Sequence, residues 1–152
     1  MIQVKLRHGD RVLICDGRKA LILENNGDGE RIDLRVKDKR ERRDAPTAAQ
    51  GTDAPGRVHA SVGGARSAVE QTDWHDREEE LFLRSLAEEL NGIGDGLRRE
   101  RVVVIAPPRA LAVLRASWSP LMQKAIVAEI HKDLVRTPVN EIEAMFAGAA
   151  AA

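Results

Sequence analysis

Cysteine and aromatic residues are scarce in this chain: one cysteine, two tryptophans, two phenylalanines and no tyrosine among 152 residues. With Cys15 as the lone thiol, no internal disulfide can form and no oxidising compartment is needed. Its neighbours Val12, Leu13 and Ile14 make it a small core residue rather than a nucleophile. Trp74 and Trp118 read as packing groups, so the stacking surface of a single-strand nucleic-acid binder is not expected. An excess of either charge is also lacking: 24 basic residues balance 24 acidic ones. No global field therefore draws the chain to nucleic acid or membrane, which leaves local patches as the place to look. No apolar run approaches the ~18 residues of a membrane span. The first thirty residues show no basic n-region, apolar h-region or small-residue cleavage site. A soluble protein in the cytoplasm, without membrane contact, is the expectation.

Several chemistries are missing as well. His8, His59, His75 and His131 are scattered without zinc-ligand spacing, so no metal is expected. There is no Gly-x-Ser-x-Gly elbow and no Walker-type phosphate loop, and no cofactor is expected.

What is present is a hydrophobic fraction of 43% beside a charged fraction of 32%. This chain length suits one ordinary domain over residues 1–152, burying roughly 70% of the surface of the unfolded chain. Val12-Leu13-Ile14-Cys15 and Ala20-Leu21-Ile22-Leu23 flank Asp16-Gly17, the signature of a hairpin whose turn takes positive φ angles. A second turn cluster, Asn25 to Gly29, precedes Ile32, Leu34 and Val36, which alternate with Asp33 and Arg35 as in a half-exposed strand. The reading is a three-strand meander.

From Lys37 to Thr72 the periodicity stops, predicting a long mobile loop. Thr72-Asp73 then caps a helix, about Asp73 to Asn91 and closed near Gly92, in which Phe82, Leu86 and Leu90 recur at i+4 spacing. Val102 to Ala106 is a continuous apolar run, as in a strand covered on both faces. Pro107-Pro108 ends it and opens a helix from Arg109 to Ala116. Ser119-Pro120 starts a short helical turn, Ile126 to His131 alternates as a fifth strand, and Thr137-Pro138 opens a last amphipathic helix with a frayed tail at 148–152. The order is an antiparallel β1-β2-β3 meander followed by α-β-α-β-α. It predicts an α/β fold with a ribonuclease-H-like mixed five-stranded sheet.

Metal-dependent nucleases of that architecture clamp two cations between carboxylates on the first strand, the first helix and the end of the fourth strand. Asp16 and Glu78 to Glu80 supply two of these places. The third is Ala106-Pro107-Pro108, without a carboxylate, which excludes the two-metal reading.

Longer motifs carry a family resemblance. Gly56-Arg57, Ser61, Gly63-Gly64, Ala65-Arg66 and Ala68-x-Glu70 resemble the "GR…S…GG-R-HA-x-E" region of bacterial host-attachment proteins. Val104-Ile105-Ala106-Pro107-Pro108-Arg109 with Leu111 and Leu114-Arg115 resembles their "APPR-x-L-…-LR" signature. Glu129 to Leu134 is similar to their "EI-x-KDL", and Asp16-Gly17-Arg18 to their "ADG-x-R" hairpin. That family is a branch of the archaeo-eukaryotic release-factor-like superfamily. The resemblance implies a fold similar to the middle domain of archaeal and eukaryotic release factors. In those factors a Gly-Gly-Gln tripeptide lies on the loop between the third strand and the first helix. Here Gly63-Gly64 is followed by Ala65, and the histidine after the arginine is replaced by Ser67. Alanine can neither position a water nor stabilise a transition state by hydrogen bonding, so release-factor hydrolysis is not expected.

The candidate RNA- or anion-binding residues are Arg57, His59, Gly63, Gly64 and Arg66 on the loop, with Arg109, Arg115 and Lys132 elsewhere. Arginine binds phosphate in bidentate fashion, and glycine lets backbone N–H groups approach an anion. Arg109 reads equally as a group that pairs locally at a helix start, and Lys132-Asp133 as a local ion pair. No catalytic residue is assigned. The functional expectation is a ribosome- or RNA-associated accessory domain in translation quality control, with the ribosome or tRNA as partner. A protein-interaction factor needed indirectly for attachment to host cells, or a hydrolase of another kind, are the alternatives. An exposed edge strand leaves dimerisation with a second copy open.

Overall fold

Unbroken apolar runs at residues 12–15, 20–23 and 102–106 give this chain a sheet with two buried faces. The computed structural model describes residues 2–42, 64–96 and 101–151. In chain order the described elements are β1 (Arg11–Cys15), β2 (Lys19–Asn25), β3 (Leu34–Glu41), α1 (Gly64–Gly96), β4 (Val102–Ala106), α2 (Pro108–Ser117), α3 (Pro120–Ala125), β5 (Ile126–His131) and α4 (Val139–Ala151). The strands lie in the order β3-β2-β1-β4-β5. β1 pairs antiparallel with β2, and β2 with β3. β1 pairs parallel with β4, and β4 with β5. This is the predicted α/β arrangement, a ribonuclease-H-like mixed sheet of five strands.

Because side chains alternate along a strand, each of β1, β2 and β4 feeds two cores. Leu13, Cys15, Ile22 and Val104 face one side, where Leu83, Leu86 and Leu90 of α1, Leu111 and Leu114 of α2 and Met122 of α3 cover them. Val12, Ile14, Leu23, Val103 and Ile105 face the other, under Ile142 and Phe146 of α4 together with Leu134, Ile2 and Leu6. β4 is buried along its whole length, which is why its sequence is apolar without a break. The helix starts follow their local chemistry. Pro107 precedes α2 with Pro108 in its first turn, and the Ser119 Oγ accepts the Met122 N–H at 3.1 Å to cap α3.

Three expectations are corrected. The loop expected over 37–72 is shorter at both ends, since β3 continues to Glu41 and α1 begins at Gly64. Residues 37–41 lack apolar periodicity because this edge strand is held by backbone pairing to β2 and by the Arg40 guanidinium on Glu89 of α1 at 2.8 Å. The helix starts ahead of Thr72-Asp73 because Ala65, Ala68, Glu70 and Gln71 are good helix formers that need no side-chain cap to propagate. Residues 43–63 lie outside the described residues. At the other end, the tail expected to fray is helical to Ala151, in keeping with alanine as the strongest helix former.

The third correction concerns the β1-β2 hairpin. The turn is present, but Gly17 does not enter the left-handed region; among the described glycines Gly9, at φ 84°, does. The Asp16 carboxylate shapes the turn by accepting the N–H groups of Arg18 and Lys19, each at 2.8 Å. Glycine at 17 serves close packing instead, since a Cβ there would lie 2.5 Å from Cγ of Glu79.

Candidate functional site at the strand crest

Parallel strands that end side by side leave a crest at their carboxyl ends, where α/β sheets usually bind their ligands. Here β1 and β4 end together, and a cleft of about 530 Å³ opens above them. Three elements line it: the hairpin with Asp16, Gly17 and Arg18; the middle of α1 with Asp76, Arg77, Glu79 and Glu80; and the start of α2 with Pro107, Arg109 and Ala110. Pro107-Pro108 places Arg109 in the first turn of α2, where its Nη2 meets the Asp76 carboxylate at 2.8 Å. The hydrogen bond that Arg109 donates to the Asp76 carboxylate, and then that carboxylate's charge, hold the guanidinium above its ordinary pKa. Glu80 is bridged to Arg84 one turn along the same helix.

The fold thus brings Asp16 and Glu79–Glu80 to one cleft, as the nuclease comparison would require. The third place is filled by Pro107 and the Arg109 guanidinium. Among the described residues no group of three or more histidine, cysteine, aspartate or glutamate side chains is arranged to hold a metal ion. Cys15, directly beneath, is fully buried, and burial together with the charge of Asp16 pushes its thiol up to about 12. Such a thiol carries almost no thiolate at neutral pH, so it is a packing group.

The other anticipated residues are dispersed. Arg115, in the last turn of α2, pairs with Glu129 of β5 at 2.8 Å, beside a smaller cavity lined by Trp118 and Gln123. Lys132 follows β5, and its N–H donates to the Ile130 carbonyl at 3.0 Å. No ion pair joins it to Asp133 among the described residues, so that local pairing is not formed. Arg57, His59 and Gly63 lie outside the described residues, while Gly64 and Arg66 occupy the first turn of α1. Arg18, Asp76 and Arg77 were not anticipated. The Asp16-Gly17-Arg18 hairpin was the one available signal for Arg18, whereas nothing local marks Asp76 as the partner of Arg109.

Two contacts set the direction of α1. Asp76 meets Arg109 at the start of α2. Asn91 donates to the Ser117 carbonyl at the end of α2 at 3.0 Å and accepts the Ser119 N–H at 2.9 Å. The two helices therefore run side by side in the same sense, and the part of α1 before Asp76 continues past the crest. At 1.5 Å per residue, the helix from Gly64 to Glu79 spans about 22 Å.

A mixed α/β sheet in the order 3-2-1-4-5 is consistent with the sequence comparison. The family model for bacterial archaeo-eukaryotic release factor family 12 matches residues 11–146. The chain belongs to this family. No curated protein matches the chain significantly. The family 12 match takes in all five strands and extends through Phe146 of α4. None of the helices among the described residues is long and apolar enough to cross a membrane.

Proposed function

We propose that this family 12 protein is a ribosome- or RNA-associated accessory domain in translation quality control that does not itself hydrolyse peptidyl-tRNA. The observation that carries this reading is the position of Gly64-Ala65-Arg66, which follow Gly63 in the sequence. These three residues open α1, about 22 Å along the helix from the crest. A tripeptide at the end of a projecting helix is suited to entering a narrow RNA-walled site while the sheet stays outside. Ala65 stands where the release-factor glutamine would be, so the tip offers backbone and arginine contacts without the group that orients water. Arg57, His59 and Arg66 supply the phosphate contacts in this reading. The crest cleft is a poor anion site by comparison, because its guanidiniums face Asp16, Asp76, Glu79 and Glu80.

The test is co-sedimentation with ribosomes on sucrose gradients at low salt, with peptidyl-tRNA hydrolysis assayed in parallel. Binding without turnover is expected. Two phosphate contacts would weaken binding roughly tenfold between 50 and 200 mM salt, and the Arg57→Ala/Arg66→Ala variant would lose most of that dependence. Absence of co-sedimentation at low salt would overturn the reading. The motif resemblance to host-attachment proteins favours a second reading, a protein-interaction factor indirectly required for attachment to host cells. Labelling of the protein by surface biotinylation of intact cells would point instead to a direct role at the surface.

A further inference from the structure

The part of α1 that passes the crest is held on one face by two other elements, at neighbouring turns. The β1-β2 turn comes so close that any Cβ at residue 17 would lie 2.5 Å from Cγ and 2.8 Å from Cβ of Glu79. One turn earlier on the same face, Asp76 is held by Arg109 of α2 at 2.8 Å. Below this level the helix is fastened by Leu83, Leu86 and Leu90 in the core and by Asn91 on Ser117 and Ser119. Above it, α1 continues back to Gly64.

We propose that Gly17 and Arg109 form a collar that sets the angle at which the projecting half of α1 leaves the sheet, making both positioning residues for whatever the tip engages. The lever arm explains why two small contacts matter. A tilt of about 10° at the collar moves the end of a 22 Å helix by about 4 Å, enough to misplace a tip that must fit a narrow site. The two contacts differ in kind. The Gly17 side is a steric stop, whereas the Arg109–Asp76 pair is exposed, with side-chain exposures of 67% and 39%, and holds the helix only weakly. The arm can therefore swing away from the hairpin by releasing Arg109 but cannot move closer to it. The use of the collar rests on the proposed function; its existence does not.

The experiment measures the arm directly, without ribosomes. Nitroxide labels at Ser67→Cys on the arm and Lys39→Cys on the exposed β3 report the distance between them by pulsed electron resonance, while the fully buried Cys15 stays unlabelled. Gly17→Ala is expected to shift the mean distance by about 3–5 Å, through the same lever arithmetic. Arg109→Ala is expected to broaden the distribution, and the exchange of Arg109→Asp with Asp76→Arg to narrow it again. Where Gly17→Ala fails to fold, as judged by circular dichroism, the Arg109 series decides. Folded variants that all keep the wild-type distribution overturn the proposal. Loss of ribosome binding with an intact collar response would count against the proposed function alone.

Discussion

Asp10 and Asp76 make the same kind of contact and stand at opposite ends of the energetic range. The Asp10 carboxylate is 3% exposed; it accepts the Arg7 N–H at 2.9 Å and receives the Arg101 Nε at 3.1 Å on both oxygens. Removing it leaves a half-buried guanidinium and a turn amide without their acceptor. Asp10→Ala is therefore expected to cost about 2–4 kcal/mol, read as a lower urea midpoint with an unchanged slope. Asp76→Ala breaks an exposed pair, and its expected cost is below about 1 kcal/mol. Equal losses from the two substitutions would contradict this contrast. Neither contact was apparent beforehand, since Arg101 lies 91 residues from Asp10. Asn25 is a similar case. Its buried side chain accepts the N–H groups of Gly27 and Asp33 and donates to the Arg7 and Asp28 carbonyls, tying two turns together. From sequence it was only one member of a turn cluster.

Among the elements, the two edge strands show different ways of avoiding unwanted pairing. β3 carries Arg35, Lys37, Lys39 and Arg40, several of them on local carboxylates, and most of its residues are exposed. Bringing a second β3 alongside would force these charges together, and edge lysines commonly serve this purpose. β5 instead has an irregularity where the register shifts by one residue, leaving Val127 outside the pairing and 41% exposed. The combined Lys37→Val and Lys39→Val variant is expected to self-associate at concentrations where the parent stays monomeric, as measured by sedimentation velocity. A variant that sediments like the parent would show that the charges are not what keeps this edge apart. β3 also shows why its own length was underestimated. Period-2 hydrophobicity reports a strand only where one face is buried, and beyond Val36 the partners are backbone groups and salt bridges.

For the molecule as a whole, the helices are shared unequally between the two faces of the sheet. α1, α2 and α3 cover one. The other depends on α4 and on residues 2–10, which precede the region matched by the family and yet place Ile2 and Leu6 in the core. The Ile2 N–H also donates to the Met145 carbonyl at 3.2 Å, joining this segment to α4. Leu6→Ala removes a fully buried side chain and is expected to cost about 2–5 kcal/mol. A thermal melt indistinguishable from the parent would mean that the segment only rests on the sheet. The meander, the buried fourth strand, the proline-initiated second helix and their order were legible in the sequence alone. Each follows from hydrophobic period, turn chemistry or capping within about ten neighbouring residues, and the order then leaves little choice of topology. That alanine follows Gly63-Gly64 is likewise a fact of the sequence. What only the tertiary structure decided is which distant groups meet: Glu79 against Gly17, Asp76 on Arg109, Asn91 on Ser117. These contacts depend on how closely a helix settles on a sheet, a balance of packing among many side chains that no local pattern encodes.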